Sequence, residues 1–147
     1  MSTAQHTAPD RQHPLAQSDF MHQRQEILRL SDLDFQQHVN NAAITGFLAN
    51  ARFDFLATVR PCLPQGSKLV IARLEVDFTG ELHYGFEVTV GTRIMGFGRT
   101  SMRLEQAIFQ NDQCAAHAIC VFVHKGEAGS LPWPESVLRL AASSANE

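Results

Sequence analysis

The sequence predicts an α+β domain in which one antiparallel sheet of about five strands wraps around one long central helix. Three observations predict it. One stretch, Asn41–Val59, has apolar residues at helical spacing. Beyond it, apolar residues recur at every second position, the period of a strand. The connections between those later runs are short and made of turn residues.

The elements follow in order. Residues 25–30 read as a short first strand. The helix carries Ile44, Phe47, Leu48, Ala51, Phe55 and Leu56 on one side, and Ala42, Ala43, Gly46 and Ala49 keep its other faces small and uncharged. A helix without a charged face is expected to be covered by other structure rather than to lie on a surface. Asn40 or Asn41 suits its N-cap, and Pro61 suits its stop. Val70, Ala72, Leu74, Val76 and Phe78 then alternate with Arg73, Glu75 and Asp77. Phe86, Val88, Val90, Thr92 and Ile94 repeat the pattern around Glu87, Thr89 and Arg93. Two more runs cover residues 100–109 and 114–124. Connections at residues 79–85, 96–98 and 110–112 are short enough to join antiparallel neighbours, so the expected order is β-α-β-β-β-β. Residues 1–18 are polar, with too little apolar surface to offset the entropy of ordering, and are expected to form a flexible tail. Residues 141–147 are expected to fray in the same way, which leaves one domain over residues 19–140.

Composition narrows the function. The chain has 147 residues, 44% hydrophobic and 18% charged, the balance of an ordinary globular domain. Its formal charge of −3 and its scattered basic residues give no grip for nucleic acid. No apolar run is long enough to span a bilayer, so no membrane partner is expected. The N-terminus lacks the basic-then-apolar order of a secretory signal. Cys62, Cys114 and Cys120 are an odd count without framework spacing, which fits a reducing compartment and a cytoplasmic location.

The densest polar cluster is Ser31-Asp32-Leu33-Asp34-Phe35-Gln36-Gln37-His38-Val39-Asn40-Asn41, between the first strand and the helix. The first amides of a helix have no partner inside it and sit at the positive end of its dipole. A carboxylate on the loop before such a helix can therefore face free N–H donors across a small volume. Acyl transfer uses that pairing, with a base or nucleophile on one side and oxyanion donors on the other.

The run Asp-Leu-Asp-Phe-Gln-Gln-His-Val-Asn-Asn, followed by Ala51-Arg52, resembles the hotdog-fold thioesterases of the 4-hydroxybenzoyl-CoA thioesterase group. Leu74-Glu75-Val76-Asp77-Phe78, Gly85-Phe86-Glu87-Val88 and Gly98-Arg99-Thr100-Ser101 are similar to that family as well. The likeness covers roughly residues 25–125 and ends with Leu131-Pro132-Trp133-Pro134-Glu135. It implies a sheet wrapped around one long helix, and hydrolysis of an acyl-CoA or acyl-carrier thioester. It places the catalytic carboxylate on Asp34 and the oxyanion amide on Asn41, and gives His38, Asn40 and Ser101 substrate-binding roles. The implied mechanism needs no metal or organic cofactor. Asp34 either activates water or attacks the carbonyl directly. The resemblance also implies homodimers with joined sheets and active sites at the interface, often paired into tetramers. Two departures stand on the helix: many relatives have tyrosine at the position of Ile44, and one or two glutamates at Ala49-Asn50. The acyl group is therefore not transferred by analogy.

Other readings remain beside these. Asp34 is also a residue type that caps turns, and Asp32 suits a structural turn better than catalysis. His38 can position the loop or move a proton. On a regular strand Cys114 and Cys120 would face one side and His117 the other, so these three do not converge on a metal. Gly96-Phe97-Gly98 lacks the third glycine and the following helix of a dinucleotide loop. No Gly-x-Ser-x-Gly supports a serine nucleophile. Two other functions stay open, a noncatalytic acyl-CoA or acyl-carrier-binding module and a hydratase acting on 2-enoyl thioesters.

Overall fold

A computed structural model describes residues 14–144. Eight elements build it: β1 His22–Glu26, α1 Asn41–Val59, β2 Lys68–Phe78, β3 Val88–Phe97, β4 Ser101–Gln110, β5 Gln113–Gly126, β6 Gly129–Ser130 and α2 Glu135–Ser144. Single 3-10 turns occupy Gln17–Asp19, Leu30–Asp32 and Arg60–Cys62. The sheet is antiparallel in the order β1-β3-β4-β5-β2, with β6 added to the end of β5.

The helix starts and stops where its sequence says. Asn40 is the N-cap, its side chain accepting from the Ala42 amide at 2.8 Å, and Pro61 lies in the 3-10 turn that follows Val59. Ile44, Phe47, Leu48 and Ala51 are buried against Val88, Val90, Ile108, Ala116 and Ala118 from the inner face of the sheet. Farther along, Phe55, Leu56 and Val59 pack with Leu104, Cys120, Phe122, Trp133 and Val137. Within one chain the cover is incomplete, since Ala42, Gly46, Ala49 and Phe53 face outward and Phe53 is 73% exposed.

A polar network ties the helix to the sheet inside this apolar core. Buried Arg52 donates to Gln106 at 2.9 Å, and Gln106 donates in turn to the Leu48 carbonyl at 3.1 Å and the Thr92 hydroxyl at 3.0 Å. Burial lowers the pKa of Arg52 and raises that of the Cys120 thiol beside it. On the outer face, Glu105 is fully buried. Arg93 reaches one of its oxygens from Nη2 at 2.6 Å and Nε at 2.8 Å, while His117 contacts the other at 2.8 Å. Arg93 also lies over the Phe20 ring, 5.0 Å from its centroid, so residues before β1 are packed down on this face.

Three expectations need correction. The first strand lies at His22–Glu26, earlier than residues 25–30, because the ladder to Val88–Thr92 begins at His22. Residues 79–85 do not join neighbouring strands. The outer edge of β3 is taken by β1, so β2 pairs along β5 instead, and the connection from β2 to β3 must cross the domain. A bulge where Phe109 pairs with Cys114 and Ile108 with Ala116 breaks the alternation of β5, so Cys114 and His117 line the same cavity while Cys120 faces the core. Helical elements also lie across the two expected domain boundaries. Gln17–Asp19 forms a turn, Leu15 packs against Phe20 and Phe109, and α2 runs to Ser144. The remainder of the two expected tails, residues 1–13 and 145–147, lies outside the described residues.

Candidate active site

The loop between β1 and α1 forms a tight hairpin. Leu33 pairs with Val39, Asp34 N–H donates to the His38 carbonyl at 2.8 Å, and Gln37 N–H donates to the Asp34 carbonyl at 2.9 Å. Gln37 has φ 62, the left-handed conformation that closes so short a loop. Buried Val39 anchors the hairpin in the core, and Asn40 N–H bonds the Asp32 carbonyl at 2.8 Å. Asp32 also accepts from the Arg29 amide at 2.8 Å, a turn role.

Asp34 is half-buried at the head of this hairpin. Its Oδ1 accepts from the amides of Gln36 at 2.8 Å and His38 at 3.1 Å, so the turn-capping reading of Asp34 is realised. Those bonds use one oxygen only. Oδ2 makes no hydrogen bond among the described residues, and neither does the imidazole of His38. Asn41, the first helical residue, has no preceding carbonyl to bond, and its amide likewise makes no bond among the described residues.

These groups share one cavity. A space of about 370 Å³ is lined by Asp34, His38, Asn40, Asn41 and Ile44, and is closed by residues 80–82 of the loop leaving β2. That loop is held at both ends. The Thr79 and Gly80 amides both donate to the Ala115 carbonyl at 3.0 Å, Leu82 is buried against the helix, and the Gln110 side chain bonds both His83 N–H, at 2.7 Å, and His83 C=O, at 2.9 Å. Between these anchors stands Glu81, a carboxylate that the sequence reading missed. Only the strand order reveals that its loop passes the helix start.

Ser101 is not brought to this cavity. It begins β4, whereas Gln110, at the other end, holds the loop that carries Glu81. Nine residues of strand, roughly 30 Å, separate the two ends. A larger cavity of about 1010 Å³ lies on the outer face beside Leu15, Asp77, Cys114 and His117, away from the helix start. No group of three or more His, Cys, Asp or Glu among the described residues could hold a metal ion.

Comparison with known proteins decides the family. Residues 28–140 match the family model of the thioesterase-like superfamily. The chain belongs to that superfamily. A thioesterase from Thermus thermophilus, solved in complex with coenzyme A and zinc, is 30% identical, with a TM-score of 0.76 over 87% of this chain and 97% of that one. A predicted thioesterase from Bacillus stearothermophilus is 26% identical, with a TM-score of 0.74 over 83% of this chain and 94% of the other. A thioesterase-superfamily protein from a Jannaschia species shares the fold, at 23% identity and a TM-score of 0.73 over 83% and 81% of the two chains. No curated protein matches the chain. The curled sheet around α1 is thus the hotdog fold that the motif implied.

Proposed function

We propose that this member of the thioesterase-like superfamily hydrolyses acyl-CoA thioesters, with Asp34 and the Asn41 amide as the working pair. One observation carries the reading: a carboxylate oxygen and a helix-start N–H, both free of partners among the described residues, belong to residues on the wall of one cavity. The Asn41 N–H accommodates the negative charge that develops on the thioester oxygen. Asp34 Oδ2 takes a proton from water as it attacks, or attacks the carbonyl itself and is released by water in a second step. The C–S bond breaks, and the products are the free acid and the thiol. A thiol of pKa roughly 8.5 leaves without a dedicated acid. The two bonds on Oδ1 fix the carboxylate in place, so the turn-capping role and the chemical role support each other. His38 and Asn40 shape the walls and contact the substrate. The coenzyme A bound to the Thermus thermophilus relative supports CoA over a carrier protein.

The site is proposed to work in a homodimer, with a tetramer as its further assembly. β2 is a long edge strand whose far side pairs with nothing among the described residues, and its Val70, Ile71, Leu74 and Phe78 are 40–46% exposed. The outward stripe of α1 that ends in Phe53 needs cover too. Substrate binding by Ser101 would have to act across such an interface. Cys62, Cys114 and Cys120 form no disulfide, which is compatible with the proposed location in a reducing cytoplasm.

A second reading is a noncatalytic acyl-CoA or acyl-carrier-binding module, favoured by Ile44 and Ala49-Asn50 standing where many relatives have tyrosine and glutamate. Short, medium, long and aromatic acyl-CoAs separate the two. Release of free thiol supports the enzyme, whereas a rise in melting temperature with no thiol from any of them establishes the binding module.

A further inference from the structure

We propose that Glu81 selects the acyl group by charge, so that the enzyme takes thioesters with an uncharged acyl chain and discriminates against those whose acyl chain ends in a carboxylate. The inference rests on the thioesterase reading and deepens it. Glu81 and Asp34 line the same cavity of about 370 Å³ from opposite elements, the loop after β2 and the hairpin before α1. No lysine or arginine among the described residues lines it. Glu81 is exposed, but its backbone is not free to swing away. Leu82 beside it is buried at 2% exposure, Gly80 on its other side donates to the Ala115 carbonyl, and the N–H and C=O of His83 are both bonded to the Gln110 side chain.

Apart from the His38 imidazole, the positive element that the described residues of this chain bring to the wall is the start of α1, worth about half a unit charge. Two ionised carboxylates outweigh it. That half charge is also committed to the thioester oxygen if the Asn41 amide acts as proposed. A third carboxylate, brought in on the acyl chain, meets net repulsion from this wall and finds no lysine or arginine there to pair with. Because Glu81 is exposed, solvent and salt screen the effect. The expected discrimination is therefore modest, about three- to tenfold in kcat/KM.

Charge is separated from size and polarity by comparing glutaryl-CoA with 4-carbamoylbutanoyl-CoA, its uncharged amide counterpart. The matching aromatic pair is 4-carboxybenzoyl-CoA and 4-carbamoylbenzoyl-CoA. At about pH 8 and low salt, the amide member is expected to be the better substrate in whichever pair is turned over. Glu81→Gln is expected to bring the carboxylate-to-amide ratio of kcat/KM close to one, and Glu81→Lys to raise it further. Added salt at roughly 0.5 M is expected to narrow the gap in the native protein and to change little in Glu81→Gln. A merely structural role for Glu81 would move both members of a pair together and leave the ratio where it was. An unchanged ratio in both variants, or equal native rates on the two members, overturns the role of Glu81 and leaves the thioesterase reading intact. Absence of thiol release from all four thioesters and from the general acyl-CoA panel overturns both.

Discussion

At the scale of single residues, the molecule depends on side chains with one polar atom committed and another left over. Asp34 is one, with Oδ1 in the turn and Oδ2 free for chemistry. His22 on β1 is a different case. Its Nε2 is buried without a partner, and its ring meets Phe55 edge-on at 5.6 Å. Burial lowers its pKa below the ordinary 6.5, against a smaller opposing pull from Asp54. The sign follows from linkage. Below pH 6.5 the unfolded chain binds a proton at His22 that the folded chain resists, so stability is lost as pH falls from there through the folded pKa. Thermal melts of the native chain between about pH 7.5 and 5 should fall more steeply than those of His22→Gln, and parallel curves would remove His22 from the acid sensitivity. The residue scale also shows what was legible. Asp34, His38, Asn40 and Asn41 stand within eight positions of one another, so a linear reading brings them together. Glu81 lies on another loop, and only tertiary structure carries it to the same cavity.

At the scale of elements, α1 could be read nearly to the residue because its signals are local: a capping asparagine, apolar spacing and a terminating proline. The hairpin turn of β4 and β5 could be read for the same reason, with Asn111 and Asp112 at φ 51 and 60 supplying the two left-handed residues that a two-residue turn needs. Strand order was not legible. Alternation marks which residues face the core, but it does not say whether β2 pairs with β3 or with β5. α2 was missed because it is short and, among its described side chains, Val137 is fully buried while Leu138 and Leu140 stay exposed. The element-scale prediction concerns the join of α1 to the sheet. Gln106→Leu leaves the buried Arg52 guanidinium and the Leu48 carbonyl without their partner. It should cost about 3 kcal/mol in denaturant unfolding. A loss below about 1 kcal/mol would mean that Gln106 fills space and does not anchor the helix.

At the scale of the whole molecule, one chain leaves two apolar surfaces uncovered, the long edge of β2 and the outward stripe of α1. A monomer with such an edge would invite uncontrolled pairing, and closed symmetric assembly removes it. Light scattering at micromolar concentration should give the mass of a dimer or a multiple of it. A monodisperse species near the 16.3 kDa of one chain would contradict this. The central claim, that Asp34 and the start of α1 cleave a thioester, is tested most directly by thiol release from an acyl-CoA panel with the native chain and Asp34→Asn. The substitution keeps the shape of the side chain and an oxygen able to cap the turn, so the variant should fold and melt close to the native protein. It should nevertheless lose at least about a hundredfold in turnover, the scale of a positioned base or nucleophile. Native turnover in a folded Asp34→Asn protein would remove Asp34 from the mechanism and contradict the account.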